Sequence, residues 1–148
     1  MNMQKKTEFT DIIKIEKNKI QKLEKELKNE FSIISQTGKM IETMKVEILK
    51  IDYPISGTFS MLQQYNLAMH NMKGEIIKLE NQRVEARKRI IGIRERMKLT
   101  NMELEKFKYL EDEVFKKRRI EILKQESKEL DEIATILFSI NQKKDLQS

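Results

Sequence analysis

The sequence predicts an all-α fold, an antiparallel two-helix coiled coil in which the second helix is longer than the first. Three observations predict it. Ile13, Ile20, Leu27, Ile34, Ile41, Ile48 and Ile55 recur every seventh residue, with Glu16, Leu23, Glu30, Thr37, Met44 and Ile51 three places after each of the first six. The same spacing returns from Leu62 through Tyr65, Met69, Met72, Ile76, Leu79, Arg83, Ala86, Ile90, Ile93, Met97, Thr100, Leu104 and Phe107. Between the two rows stand the only proline, Pro54, and Gly57. A narrow apolar stripe with a period of about 3.5 residues is stable only against a second such stripe.

Taken in order, Met1 to Lys6 is a short basic lead, and the first helix is expected over about 7–51. Its length, roughly 65 Å at about 1.5 Å per residue, is beyond what propensity alone holds in water, so the seam must support it. Gly38 is an internal cost of about 1 kcal/mol relative to Ala. Pro54 stops the helix, Gly57 frees the backbone for a reversal within 52–60, and Ser60 with Gln63 reads as the capping box that opens the second helix.

The second helix is expected over 61–141, with a disordered tail at 142–148. A reversal near Ser56 and Gly57 sets Ile48 against Tyr65, Met44 against Met69, Ile41 against Met72, Ile34 against Leu79, Leu27 against Ala86 and Phe9 against Leu104. In that register Glu30 meets Arg83, a buried pair whose value is to fix the register, since a slip of one heptad would oppose each charge to an apolar group. The first helix is exhausted near Phe9, so about 35 residues of the second, roughly 50 Å at about 1.5 Å per residue, lack a partner in the same chain. There the seam shifts phase around 115–119, the next row being Ile120, Leu123, Ala134 and Leu137 with Leu130 between.

Composition agrees. Charged residues make up 36% of the chain and aromatics 6%, with no Trp, which describes solvated helices more than a globule, and a single extended domain over 1–148 follows. The absence of Cys removes disulfides and thiolate metal sites. Met1 to Asp11 has no apolar core of a signal peptide, and no run approaches the roughly 18 uncharged residues that span a bilayer, so the expected compartment is the cytoplasm.

The formal net charge is +6, and Arg83 to Lys98 holds seven basic against two acidic residues, a net of +5. Such a segment suits an acidic protein, anionic lipid or nucleic acid, but the stacking platform, helix-turn-helix and zinc spacing of a nucleic-acid reader are missing. Flank positions of a solvated coiled coil are the preferred explanation, an acidic protein comes next, and nucleic acid is not the expected partner. His70, the only histidine, sits beside seam residue Met69 and is expected in solvent. Without a phosphate-cradling glycine loop or a catalytic cluster, no enzyme, cofactor, metal or small-molecule site is expected. Among nine methionines, Met40, Met44, Met69, Met72 and Met97 lie on or beside the seams, where their flexibility fills gaps.

Ile51-Asp52-Tyr53 before the turn, Gln63-Gln64-Tyr65 after it, and Tyr109-Leu110-Glu111, Lys124-Gln125-Glu126 and Leu130-Asp131-Glu132-Ile133-Ala134 near the end resemble the FliJ family of the bacterial flagellar type III export apparatus. The resemblance implies a cytoplasmic, non-catalytic stalk, peripheral at the inner membrane. Such a stalk promotes the hexameric export ATPase and contacts the membrane export gate and the flagellar export chaperones. It carries the gate-contacting stripe onto Tyr65, Met69, Met72 and Ile76 with Tyr53 nearby, and the ATPase-facing surface onto Lys116, Lys117, Arg118, Arg119, Leu130, Asp131 and Glu132. The seam reading buries the first of these stripes, and the two readings stand against each other. A homodimeric scaffold with opened hairpins, and a basic binder of nucleic acid or membrane surface, are the alternative functions.

Overall fold

A computed structural model describes residues 5–147, of which the side chain of Gln147 is left aside. It contains two helices, α1 (Thr10–Lys50) and α2 (Phe59–Gln147), packed against each other as a hairpin.

The start of α1 is fixed by a reciprocal threonine cap. The Phe9 amide donates to Thr7 Oγ1 at 3.1 Å, and the Thr7 amide donates to Thr10 Oγ1 at 2.9 Å. Thr7 thus stays outside the helix that was expected to begin with it, because its side chain is spent on satisfying free amides. At the other end the Ile51 amide reaches the Ile48 carbonyl at 3.3 Å, a tightened last turn before Pro54, whose ring nitrogen has no hydrogen to continue the ladder. The heptad row therefore ends inside the helix, and Ile55, expected as its seventh member, lies in the connection 97% exposed.

Gly57 adopts φ 149°, a conformation that side chains rarely take. The capping residue of α2 is Thr58 and not Ser60: the Met61 amide lies 3.4 Å from Thr58 Oγ1 and 3.0 Å from its carbonyl. At its far end α2 stays helical through Gln147, past the expected stop at 141 and through the stretch expected to be disordered.

Every expected seam position from Ile13 to Ile51 and from Leu62 to Phe107 is buried or half-buried. Contacts along the hairpin gather into two units. In the unit formed by residues 18–101, the core is Leu23, Thr37, Ile41, Ala86, Ile90 and Ile93. Thr37 tolerates burial because its hydroxyl donates to the Ile33 carbonyl at 2.7 Å. In the unit that joins residues up to Lys17 with those from Met102 onward, Ile13, Glu16 and Leu104 are buried.

The register differs from the expected one. Glu30 pairs with Arg89 at 2.9 Å, and Glu26 lies 3.6 Å from Arg96. Arg83 turns to Glu80 in its own helix at 3.5 Å, so the Glu30–Arg83 pair does not form. In the other unit Phe9 meets Phe107 with ring centroids 6.2 Å apart, and the Thr7 and Thr10 hydroxyls both donate to Glu111 Oε2, at 2.7 and 2.9 Å. Each α1 residue thus faces α2 about one heptad beyond the expected layer. A slip of one heptad returns the same seam positions to each other, so apolar spacing cannot exclude it. The flank charges choose, and the eight-residue connection between Lys50 and Phe59 is long enough to allow it.

Candidate functional site

Two surfaces carry the residues that the sequence singled out. At the turn, the Tyr53 ring stands edge-on to Tyr65 with centroids 5.2 Å apart, which folds the connection back along the first turns of α2. Tyr53 remains 58% exposed, while Tyr65, Met69, Met72 and Ile76 are half-buried. The opposition between packing and docking is thus softened: these four side chains line the seam and still show part of their surface. Around them Ile55, Phe59, Met61 and Leu67 are exposed, forming the apolar border of the turn. Ile55, Met61 and Leu67 escaped the sequence reading as surface residues, since one counted towards a heptad row and the others fell between rows.

The basic stretch is largely spent on ion pairs. Arg83 binds Glu80, Lys88 binds Glu85 at 3.3 Å, Arg89 binds Glu30 and Arg96 binds Glu26, while Arg94 lies over the Phe31 ring at 5.5 Å. The hydrogen bond that Arg89 donates to Glu30 raises the Arg89 pKa above its ordinary value, against an opposing desolvation and with further support from the charges of Glu30 and Glu85. This is the arrangement of flank positions in a coiled coil.

The second surface is the far part of α2. Of the expected basic cluster, Arg118 is turned inward: its guanidinium donates to the carbonyls of Lys5 and Lys6 at 2.9 and 3.3 Å and lies 5.8 Å from the Phe115 ring centroid. Lys116 pairs with Glu113 at 3.5 Å, and Lys117 and Arg119 are exposed. Arg118 is thus half-buried, while its neighbours Lys116, Lys117 and Arg119 are exposed. Beyond Arg118, Leu123, Leu130, Ile133, Ile136, Leu137, Phe138 and Ile140 are all exposed. Asp131 and Glu132 are also exposed, beside Leu130. The unpartnered stretch is the part of the second surface most legible in sequence, because it follows from the unequal lengths of the two seams.

Among the described residues no group of three His, Cys, Asp or Glu is placed to hold a metal ion, and no helix is long and apolar enough to cross a membrane. His70 is exposed, as its position beside the seam predicts.

No curated protein and no solved structure matches the chain. The Flagellar FliJ protein family, in contrast, matches residues 4–143, nearly the whole length. A two-helix hairpin with a longer second helix and a match of that extent lead to one conclusion: the chain belongs to the FliJ family, components of the flagellar protein export apparatus.

Proposed function

We propose that this chain is the non-enzymatic stalk of the export apparatus, which binds the hexameric export ATPase, promotes its activity, and links it to the membrane export gate and the export chaperones. It works in the cytoplasm, at the inner face of the membrane. The observation that carries this reading is the far part of α2, where an exposed apolar row with Leu130, Asp131 and Glu132 on it has no α1 segment beside it. A helix face left uncovered in this way is suited to a groove on another protein. The half-buried row Tyr65 to Ile76 with Tyr53 is the surface offered to the gate.

The test is ATP hydrolysis by the cognate export ATPase with and without the chain. The full chain should stimulate it, and removal of residues 119–148 should abolish stimulation. Equal stimulation by the shortened chain would overturn the reading. For the gate, Met69→Ala with Met72→Ala should weaken capture of the gate's cytoplasmic domain more than it lowers the melting temperature. A large loss of stability with unchanged capture would assign these methionines to packing alone.

A further inference from the structure

The far part of α2 carries a coiled-coil seam without a second strand. Leu130, Ile133, Leu137 and Ile140 recur at alternating three- and four-residue steps, and all are exposed. Four residues beyond the two ends of this row stand Glu126 on one side and Lys144 on the other, in the seam phase. The flank carries the same polarity, with Glu129 towards the start and Lys143 towards the end. Acid at one end and base at the other is the pattern of a strand that complements its own reverse.

We propose that the occupant of this face is the same stretch of a second copy, running antiparallel about a two-fold axis beside Ile136, with each hairpin left intact. Laid in that direction, Leu130 meets Ile140 and Ile133 meets Leu137, so that every apolar seam residue is covered. Glu126 comes opposite Lys144, and Glu129 opposite Lys143. The two-fold axis repeats each pair, as an isologous contact requires, and brings Ile136 against its own copy. Other arrangements lose these matches. A parallel pair sets Glu126 and Lys144 each against its own copy in the seam, and like charges on facing strands destabilise. A slip of one heptad in the antiparallel pair opposes Ile133 to Lys144 in one sense and Leu137 to Glu126 in the other. Asp131 and Glu132 stay outside the seam in the chosen register. The contact does not depend on the export role, and it uses the apolar row that the ATPase reading also uses, so pairing and that binding exclude each other.

Because the chain has no Cys, single cysteines report the geometry directly. In the full chain under mild oxidation, Ile136→Cys should form a disulfide-linked dimer rapidly. Leu130→Cys should do so slowly, since its own copy lies ten residues away along the axis, roughly 15 Å at about 1.5 Å per residue. Sedimentation of the unmodified chain should show a concentration-dependent dimer. Glu129→Lys or Lys143→Glu alone should weaken it by about tenfold through two new repulsions, and the double exchange should restore it. These positions are on the solvated surface, and unchanged helicity by circular dichroism will confirm that the variants fold. A chain that stays monomeric at about 100 μM, where contacts weaker than about 5 kcal/mol go unseen, would overturn the proposal. So would equally fast cross-linking of Leu130→Cys, a double exchange no better than the singles, or a dimer that survives removal of residues 119–148.

Discussion

Glu30 and Arg83 show how far single residues can be read from a chain. Both fall in seam positions and both are charged, and their coincidence in one register makes them look like partners. In the structure Glu30 is clasped by Arg89 through one oxygen, while its Oε2 and the Nε of Arg83 are buried without a hydrogen-bond partner. An unsatisfied buried polar atom costs about 1–3 kcal/mol. Arg83→Leu, which removes one such atom and adds an apolar group to the seam, should therefore raise stability, by about 1 kcal/mol in denaturant unfolding. A register locked by Glu30 and Arg83 would demand the opposite sign. A double-mutant cycle should likewise find coupling between Glu30 and Arg89 and none between Glu30 and Arg83. Since its pKa is raised, Arg89 contributes in full below the ordinary arginine pKa and loses its contribution only as pH rises through the folded value. The Arg89→Gln effect should therefore be constant from pH 6 to 9, the window this sign sets.

Elements were more legible than their mutual alignment. From Ile13 to Ile51 and from Leu62 to Phe107 the heptad rows fall only on buried or half-buried positions, because a period of 3.5 leaves only one face for contact. The register and the caps were not legible, for different reasons. Sliding by a heptad preserves the apolar match, whereas Thr58 and Ser60 are chemically equivalent capping residues and only the path out of Pro54 and Gly57 selects the first. Ile41, 1% exposed, is the most enclosed large side chain of α1, and Ile41→Ala should cost about 2–4 kcal/mol. Gly57→Ala should cost about 1–3 kcal/mol, since φ 149° suits only glycine and a Cβ there would meet Met61 Sδ at 2.7 Å. Gly92 is helical with open space around it, and Gly92→Ala should raise the melting temperature, with about 0.5–1 kcal/mol of added stability.

For the whole molecule, the unequal limbs are legible in the sequence, and the turn surface only in part. The family resemblance places its docking row on residues that packing also claims, and these residues are half-buried. The ion pairs, hydrogen bonds and ring contact described above between α2 and α1 or the residues before it, among the described residues, use α2 residues up to Arg118. Deletion of residues 119–148 should thus lower the total helical signal yet leave the cooperative unfolding midpoint unchanged, as measured by circular dichroism on heating. A drop in the midpoint would mean that the removed stretch contributes to the hairpin's own stability.

The fully buried side chains of α2 begin only at Ala86, and between Phe59 and that residue none is fully enclosed. Amide hydrogens there are held by a zipper whose teeth are all partly wet, and protection from exchange should be weakest over residues 59–72 and strongest near Ile90 and Ile93. A visitor arriving at the turn would meet helices that part at small energetic expense, which is the property that the gate contact proposed for Met69 and Met72 requires.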